Sequence, residues 1–495
     1  MLNVHAWKRV HLVGIGGINM SAVAKLLLAA GAKVTGSDIA ETEITKELAA
    51  KGVAISIGPH DERHVLADCQ AVIHTSAAPA NNPERIAAKN RHLPDVSNFE
   101  WLGAWFKEGF RVILVTGTHG KSTTTALLGN MCIQAGLDPT VIVGSRMADW
   151  PDANLWLGKS DLVIIEGDEY ATHFLEFNPA GLIVNNIELD HTDIFHDLDD
   201  LLHAFERLLR QTKHGAPVVV NGESAEVMKA VAAVKLHAMK VIRFGRRETI
   251  PFPSQAYEAI MDPVLTGNER KIGLEYAGGK MELKTRLMGA FNAMNITAAA
   301  VMAKELGASD QAIAQAVEGF KGLWRRMEPV GEANGAQVFS DYGHHPTAVR
   351  ETLTAVRLAF PDKRLVLCFQ PHHKNRTKHL FDGFLTCFDQ ADALVLCEIY
   401  EVAGRSAPED SDVTSENLLK AIKSKVPDPE ALAPRRLKHM EYAPDPVSAV
   451  KQTLALLKAG DVCIVMGAGD IDSALRKAVD SSASSDSAPP LNKGG

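Results

Sequence analysis

One short stretch, residues 116–122 with the sequence Thr-Gly-Thr-His-Gly-Lys-Ser, contains the residue types that bind nucleotide phosphates. An apolar run at residues 111–115 predicts a strand before it, and helical spacing predicts a helix after it. In such a turn the backbone N–H groups surround the phosphates, the lysine reaches the terminal phosphates, and the hydroxyl holds Mg²⁺. The candidate nucleotide contacts are Gly117, Thr118, His119, Gly120, Lys121, Ser122 and Thr123.

The match is to a shortened form of the general phosphate-binding pattern. Val115 occupies the position where the longer Walker pattern has a glycine, so the sequence fits T-G-T-x-G-K-[ST]. The alternative is a glycine-rich turn that arose by chance. The order of strand, turn, lysine, hydroxyl and helix favours phosphate binding.

Acidic side chains end two later strands of the same region. The strand predicted near residues 161–166 ends in Glu166, Asp168 and Glu169. The strand predicted near residues 181–187 ends in Glu188, Asp190, His191 and Asp193. Because ligands gather at the carboxyl ends of parallel strands, acids there beside a phosphate-binding loop predict an Mg²⁺ site. A solvated acidic loop is the alternative for either set alone.

Further candidates lie before and after this region. Residues 10–38 read as a strand, a glycine-rich turn, a helix and a strand that ends in Asp38, which could bind a ribose hydroxyl. Asn292 and Asn295 share one face at a helix start, where they could contact adenine or cap the helix. The C-terminal candidates are Arg326 in a loop and the strand-end residues Asp341, Tyr342, His344, His345, His372 and Arg376.

The elements that position these residues predict an α/β protein of three domains. Alternating strands and helices favour a Rossmann-like N-terminal domain, a central domain with a P-loop ATPase-type parallel sheet, and a Rossmann-like C-terminal domain. The predicted bounds are residues 1–107, 108–319 and 320–480. Residues 481–495 have the composition of a disordered tail.

Composition places the chain among ordinary globular proteins. It has 495 residues, 46% hydrophobic and 23% charged, with a formal net charge of -8. That charge argues against general nucleic-acid binding. The six cysteines form no CxxC pair, which favours reduced core thiols. With neither an apolar run long enough to span a membrane nor a signal peptide, we expect a cytoplasmic enzyme.

Taken together, the motifs resemble those of the Mur ligases, the ATP-dependent amide-forming ligases that build the peptide of bacterial peptidoglycan. Six motifs occur in the order found in that family: Thr-Gly-Thr-His-Gly-Lys-Ser at 116–122, Glu-Gly-Asp-Glu at 166–169, Asn-Asn-Ile-Glu-Leu-Asp-His at 185–191, the asparagines at 292 and 295, Arg-Arg-Met-Glu at 325–328, and Asp-Tyr-Gly-His-His-Pro at 341–346. The resemblance implies an N-terminal domain for a UDP-sugar, a central ATPase domain, and a C-terminal domain that brings the incoming amine.

The resemblance also implies roles for single residues. The implied catalytic residues are Lys121, Glu169, His191, Arg326 and His344, with Mg²⁺ bound by Ser122, Glu169 and His191. The implied nucleotide contacts outside the loop are Asn292, Asn295, Arg326, Asp341 and Tyr342. The implied contacts to the UDP-sugar and the amine are Gly16, Gly17, Asp38, Ser76, His372 and Arg376. ATP and Mg²⁺ are the implied cofactors.

Within the family the chain resembles most the members that join L-alanine to UDP-N-acetylmuramate through an acyl phosphate. The alternative is a member that recycles the murein tripeptide L-Ala-γ-D-Glu-meso-diaminopimelate onto the same sugar. The two kinds of member share many motifs, which leaves the choice of amine open. The chain departs from the family pattern at Asn19, Phe291 and His373, and Phe291 bears on the recognition of adenine. The expected partners are therefore these small molecules, with no nucleic acid and no membrane span, in a monomer or homodimer.

Two alternatives belong to other classes of protein. An NAD-dependent oxidoreductase would use the glycine-rich turn at residues 14–17, but it leaves Lys121 and the acidic strand ends unexplained. A nucleotide-binding switch without catalysis is the second alternative. Replacing Lys121 by alanine would then leave the biological output intact when nucleotide still binds.

Overall fold

The structure is a computed structural model. It describes residues 3–192, 194–234, 239–246, 258–264, 270–276, 278–401, 413–425 and 436–485. Asp193 and residues 486–495 of the predicted tail lie outside these ranges. Three separate sheets, each with helices packed against it, confirm the predicted three-part α/β fold.

The N-terminal sheet consists of five parallel strands in the order β3-β2-β1-β4-β5. Its strands are β1 (Arg9–Val13), β2 (Lys33–Asp38), β3 (Ala54–Ile57), β4 (Ala71–His74) and β5 (Asp95–Ser97). Its helices are α1 (Ile18–Ala29), α2 (Glu43–Ala50), α3 (Pro83–Asn90) and α4 (Asn98–Trp105), with short 3-10 helices at Val4–Ala6 and Glu62–His64. Strand order 3-2-1-4-5 is the Rossmann-like arrangement that the βαβ pattern predicts.

The central sheet has ten strands in the order β15-β14-β13-β12-β11-β10-β6-β9-β7-β8. Its strands are β6 (Arg111–Thr116), β7 (Thr140–Ile142), β8 (Leu155–Trp156), β9 (Leu162–Glu166), β10 (Gly181–Val184), β11 (Pro217–Asn221), β12 (Lys240–Arg246), β13 (Glu258–Val264), β14 (Arg270–Tyr276) and β15 (Gly279–Thr285). Its helices are α5 (Lys121–Gln134), α6 (Leu198–Gln211), α7 (Ala225–Ala233), α8 (Ala290–Glu305) and α9 (Asp310–Gly319), with a 3-10 segment at Tyr170–Glu176. Strands β13 to β15 and β8 pair antiparallel, so the sheet is parallel only in its middle.

The register of the central strands places the predicted site at one edge. Strand β6 lies between β9 and β10 and pairs parallel with both. Val115 is opposite Glu166, and Thr116 is opposite Val184. The phosphate-binding loop (residues 116–122) and the segments that follow β9 and β10 therefore leave the sheet side by side.

The C-terminal sheet has six strands in the order β16-β17-β21-β18-β19-β20. Its strands are β16 (Glu328–Ala333), β17 (Ala336–Asp341), β18 (Leu365–Phe369), β19 (Ala393–Cys397), β20 (His439–Ala443) and β21 (Val462–Met466). Its helices are α10 (Pro346–Ala359), α11 (Lys374–His379), α12 (Phe381–Phe384), α13 (Ser415–Ser424), α14 (Pro446–Leu456) and α15 (Ile471–Ser485). All pairs are parallel except β16 with β17.

Helix α15 corrects one prediction about the C-terminus. We expected disorder from residue 481, but α15 continues to Ser485. No Pro or Gly stands between Ile471 and Ser485, so nothing in that stretch ends the helix where the serine-rich composition begins.

Apolar packing joins the first two domains. One continuous cluster of buried side chains includes Leu12 and Trp101 from the N-terminal domain and Val112 and Phe205 from the central domain. All six cysteines are buried and free, as expected for core thiols. Among the described residues, no helix combines the length and the apolar character that a bilayer crossing needs.

Glu84 is a fully buried carboxylate that joins several elements of the N-terminal domain. Its Oε2 accepts hydrogen bonds from His11 Nε2 at 3.2 Å and Ser37 Oγ at 2.6 Å. Its Oε1 lies 2.8 Å from His64 Nδ1 and 3.2 Å from His60 Nδ1. Burial by itself would raise the pKa of Glu84, but the hydrogen bonds from His11, Ser37 and His64 outweigh burial and hold it at about 2.

We expect Glu84→Gln to lower the opening free energy of the N-terminal domain by about 3 kcal/mol at pH 7. A carboxylate whose folded pKa is lowered stabilises the fold above the unfolded pKa, about 4.3. That contribution is lost as the pH falls towards about 2. The difference between native and variant protein should therefore shrink across this range in hydrogen exchange of N-terminal peptides. The exposed Glu62→Gln is the matched control. A difference that stays constant with pH would contradict the prediction.

Candidate active site

A cavity of about 2520 Å³ is lined by residues of all three domains. The phosphate-binding loop forms one part of its wall, and Gly16 and Gly17 from the N-terminal domain form another. His344 and Arg376 from the C-terminal domain lie across from them. Most of the predicted site residues, which come from all three domains, thus line one cavity.

The backbone of the phosphate-binding loop depends on two glycines with positive φ. Gly117 has φ +131° and Gly120 has φ +83°, and Gly120 is the residue before α5. The Asn295 amide from α8 lies against Gly120, so that a Cβ at Gly120 would overlap its oxygen. The loop amides and the N-terminus of α5 together favour an anion at this position.

Gly120→Ala is expected to lower kcat/KM for ATP by about 100-fold, since a small displacement of a phosphate-positioning group has an effect of that order. Gly136→Ala is the matched control, because Gly136 also has positive φ, +72°, but nothing lies within 4 Å of its added Cβ. Both variants carry the same backbone strain, so comparing their ATP kinetics and melting temperatures isolates the overlap with Asn295. Equal kinetic losses in the two variants would count against this account.

Lys121 lies inside the cavity wall and is held by carboxylate and carbonyl oxygens. Its Nζ donates to both oxygens of Glu169 at 2.8 and 2.9 Å and to the Gly117 carbonyl at 2.8 Å. Burial alone would lower the pKa of Lys121, but the carboxylates of Glu169, Asp168 and Glu166 outweigh burial and raise it. The lysine therefore stays positively charged beside the loop.

Three groups of the kind that bind metal ions gather next to Lys121. One ligand atom each from Asp168, Glu169 and His191 lies within 4.8 Å of the others. His191 Nε2 is 3.5 Å from Glu169 Oε1. Burial would lower the pKa of His191, but the hydrogen bond to Glu169 and the charge of Asp190 raise it. Two carboxylates and an imidazole fit a divalent cation bound together with phosphate oxygens.

Ser122 has a different partner from the one expected. Its hydroxyl donates to Glu166 Oε1 at 3.1 Å, and Glu166 also accepts from the Gly144 N–H at 2.7 Å. Burial raises the pKa of Glu166. The predicted metal set lacked Glu166 and Asp168, although both belong to the acidic end of β9 that the sequence singled out. The sequence predicted that Glu166 and Asp168 lie at this strand end, but it did not predict which residues they contact.

The segment after β10 connects the central and C-terminal domains. Glu188 Oε2 accepts from Thr347 Oγ1 at 2.8 Å and lies 3.4 Å from His119 Nε2, so the loop, this segment and α10 are linked. Burial would raise the pKa of Glu188, but His119 and Thr347 hold it at about 2. Asp190 Oδ1 accepts from Arg376 Nε at 2.7 Å, within a buried ion pair.

The Arg376 guanidinium also contacts His372, another residue of the C-terminal domain. Its terminal nitrogen lies 3.0 Å from His372 Nδ1. Asp190 Oδ1 also accepts from the His191 N–H at 2.7 Å. Burial would raise the pKa of Asp190, but the Arg376 guanidinium keeps it well below its ordinary value. Asp190 therefore joins the predicted amine-side arginine to the segment that holds His191.

Adjacent arginines in the loop before β16 have different environments. Arg325 is buried, with φ +55°, and donates to the backbone carbonyls of Gly467 and Gly469. The Arg326 guanidinium lies 5.0 Å from the centre of the Tyr342 ring in the cavity wall. Within the described part of the chain, no carboxylate forms an ion pair with Arg326. Arg325 thus holds the loop, whereas Arg326 presents its charge to the cavity.

The predicted nucleotide contacts Asn292, Asn295 and Asp341 line the cavity but also hold local structure. The Asn292 amide donates to the Met288 carbonyl at 2.8 Å, and the Asn295 amide donates to Asn292 at 3.2 Å. Asp341 accepts from the backbone N–H groups of Met327 and Gly343.

Two predicted N-terminal contacts lie elsewhere. The Asp38 carboxylate accepts from the Gly16 N–H at 2.8 Å and so stabilises the glycine-rich turn. Ser76 Oγ is 2.9 Å from His173 Nε2 of the central domain. Among the described residues, the cavity wall includes neither Asp38 nor Ser76. Asp38 is the last residue of β2 and Ser76 follows β4, and other protein groups contact both side chains.

Models of three protein families match consecutive parts of the chain. "Mur ligase family, catalytic domain" matches residues 9–109, "Mur ligase middle domain" matches residues 115–303, and "Mur ligase, glutamate ligase domain" matches residues 325–469. Together the matched residues include the phosphate-binding loop, the acidic strand ends and both arginines.

Curated relatives match nearly the whole chain. The chain is 34% identical over 467 residues to a UDP-N-acetylmuramate–L-alanine ligase of Aquifex aeolicus, covering 94% of this chain and 95% of that one. A ligase of the same name from Polynucleobacter asymbioticus is 34% identical over 477 residues, with 94% and 97% covered.

Solved structures share the arrangement of all three sheets. A UDP-N-acetylmuramate–alanine ligase from Thermotoga maritima superposes with a TM-score of 0.78 at 28% identity, covering 96% of this chain and 99% of that one. A murein peptide ligase from Psychrobacter arcticus superposes with a TM-score of 0.70 at 22% identity, with 96% and 98% covered. The second likeness concerns the fold alone.

Proposed function

The chain belongs to the Mur ligase family, and from that premise we propose that it joins L-alanine to the carboxyl group of UDP-N-acetylmuramate at the expense of ATP. The observation that carries this proposal is the single cavity in which the phosphate-binding loop, the acidic strand ends and the C-terminal histidines and arginine meet. The names of the relatives at 34% identity support L-alanine as the amine.

The chemistry explains why the site needs these groups. A carboxylate is a poor acyl donor, because its charge repels a nucleophile and oxide is a poor leaving group. Transfer of the γ-phosphoryl group of ATP to the sugar carboxylate gives an acyl phosphate, which the amine attacks with loss of phosphate. The protein chiefly holds anions close together and neutralises their charge.

Lys121 and the loop amides hold the β- and γ-phosphates in this proposal. The Arg326 guanidinium stabilises charge on the transferring phosphoryl group, which agrees with the lack of a carboxylate partner for it among the described residues. Asn292, Asn295 and Tyr342 line the part of the wall assigned to the nucleoside.

Ser122, Glu169 and His191 would hold Mg²⁺, and Asp168 joins them because it lies within the same cluster. Bound there, Mg²⁺ would neutralise phosphate and carboxylate oxygens so that the two anions can approach each other. Glu169 already faces one cation, the Lys121 ammonium group, at 2.8 Å.

The N-terminal domain holds the UDP-sugar, with Gly16 and Gly17 of the glycine-rich turn in the cavity wall. Asp38 acts there by fixing the turn through the Gly16 N–H. We place the reaction in the cytoplasm, where ATP is available, and assign the chain to a monomer or homodimer.

A panel of amines tests the proposal. Purified protein with ATP, Mg²⁺ and UDP-N-acetylmuramate should release phosphate with L-alanine, and mass spectrometry should detect the amide product. Omitting the UDP-sugar is the control and should abolish phosphate release. Faster turnover with the tripeptide L-Ala-γ-D-Glu-meso-diaminopimelate than with L-alanine would overturn the assignment of the amine and favour the recycling reaction.

A further inference from the structure

Two histidines of the C-terminal domain face the cavity with opposite proton positions. His344, in the segment after β17, has its Nδ1 3.0 Å from the backbone carbonyl of Tyr342. A carbonyl oxygen only accepts hydrogen bonds, so Nδ1 must carry the proton. In a neutral imidazole, the Nε2 of His344 therefore has the lone pair.

His372, in the segment after β18, has the reverse arrangement. Its Nδ1 lies 3.0 Å from a terminal nitrogen of Arg376, and a guanidinium group only donates. Nδ1 must therefore be the acceptor, which leaves the proton of His372 on Nε2. The ring is fixed further by stacking on Tyr400, with centroids 5.5 Å apart and an interplanar angle of 19°.

The surroundings of His344 keep it neutral. The groups around it are Tyr342 on its own segment, His372 and Arg376 from the segment after β18, and Asp190 from the central domain. Burial lowers the pKa of His344 well below its ordinary value, and the Arg376 guanidinium adds to the shift while Asp190 opposes it. Because Arg376 is paired with Asp190, its charge stays in place. His344 lines the cavity, and no described residue forms a hydrogen bond to its Nε2.

We propose that His344 Nε2 is the general base that removes a proton from the attacking amine, and that the adjacent His372 is fixed as a donor and does not share this role. The proposal rests on the proposed ligase function. It gives the two histidines distinct roles, which could not be inferred from their spacing in the sequence.

The lone pair of the neutral amine forms a C–N bond to the acyl carbon while the π pair of the carbonyl group moves onto its oxygen, so that the nitrogen becomes positively charged and strongly acidic. Nε2 of His344 takes one proton from this nitrogen. The C=O bond then re-forms as the bond between carbon and the phosphate oxygen breaks, and phosphate leaves with that electron pair. The proton passes from His344 to phosphate or solvent, leaving an amide and hydrogen phosphate. A base of low pKa suffices, because the donor is acidic only once the C–N bond exists.

The variant His344→Asn separates this role from the structural one. An asparagine amide can still donate from the δ position to the Tyr342 carbonyl, but it offers no basic nitrogen. His379→Asn is the matched control, because His379 Nδ1 also lies 2.9 Å from a backbone carbonyl, that of Asn375, and the residue is exposed.

Two nucleophiles distinguish the base from the earlier step. Hydroxylamine is largely unprotonated at neutral pH and traps acyl phosphates without a base, so hydroxamate formation reports phosphoryl transfer alone. With ATP, Mg²⁺ and UDP-N-acetylmuramate, His344→Asn should form hydroxamate at the native rate. With L-alanine, its kcat should fall by about 10²- to 10⁴-fold and recover in part with added imidazole. His379→Asn should behave as the native protein in both assays.

Two results would overturn the proposal: equal losses with both nucleophiles, or unchanged turnover with L-alanine. If the native chain formed no hydroxamate, the proposed function would fail instead, so the two failures are distinct. Nitrogen NMR of the native full-length chain provides a measurement without substitution. It should find the Nε2 of His344 unprotonated and that of His372 protonated, and the reverse would also overturn the proposal.

Discussion

Replacing Lys121 by methionine is expected to lower kcat/KM for ligation by at least about 10³-fold, the upper end of the effect of removing one positioned donor from a transition state. Nζ is the positive charge nearest to the loop backbone, and it contacts the Gly117 carbonyl and both oxygens of Glu169. Methionine keeps the length of the side chain but provides no charge for the transferring phosphoryl group.

The loss at Lys121 must be distinguished from unfolding, because the substitution leaves the buried carboxylate of Glu169 without its cation. Circular dichroism and melting temperature provide that check, and the exposed Lys213→Met is the matched control. A folded Lys121→Met protein with near-native turnover would show that the loop does not bind the reacting phosphates.

Substituting the two adjacent arginines should affect different properties, catalysis for Arg326 and stability for Arg325. Arg326→Met is expected to lower kcat by about 10³- to 10⁵-fold with an unchanged melting temperature, as for arginines that stabilise a transferring phosphoryl group. The guanidinium lies over the Tyr342 ring in the cavity wall without a carboxylate partner among the described residues. Its removal breaks no ion pair among the described residues. The Arg326 charge does act on the buried Asp341, but that carboxylate keeps its hydrogen bonds from the Met327 and Gly343 N–H groups.

Arg325→Met should instead destabilise the C-terminal domain by about 3 kcal/mol, because the carbonyls of Gly467 and Gly469 lose a charged donor. Urea unfolding and steady-state kinetics on both variants provide the comparison. If Arg325→Met proved stable but inactive and Arg326→Met unstable, the assignment of the two residues would be reversed.

The sequence was sufficient to predict the elements that carry the site. Strand β6, the phosphate-binding loop and α5 follow from an apolar run, two glycines and helical spacing, which are local signals. The acidic ends of β9 and β10 were predicted to meet the loop, and the register of Val115 with Glu166 places them there. Parallel strands make this step reliable, because their carboxyl ends lie at one edge of the sheet.

Contacts between domains could not be predicted in the same way. The ion pair of Asp190 with Arg376 joins residues 186 positions apart, and no periodicity connects them. The proton positions of His344 and His372 depend on groups only two and four residues away, the Tyr342 carbonyl and the Arg376 guanidinium, but the sequence does not show that these atoms meet. Asp38 shows the same limit, since the sequence places an acid at the end of a strand but does not show that it accepts a hydrogen bond from the Gly16 N–H.

The central claim is that the γ-phosphoryl group of ATP bound at the phosphate-binding loop passes to the carboxylate of the UDP-sugar and not to water. Oxygen-isotope transfer tests this claim most directly. UDP-N-acetylmuramate labelled with ¹⁸O in its carboxylate is incubated with the native chain, ATP, Mg²⁺ and L-alanine, and the released phosphate is analysed by mass spectrometry. Because the acyl phosphate forms through a carboxylate oxygen, each phosphate should carry one oxygen from the sugar. Phosphate that contains no ¹⁸O would contradict the account.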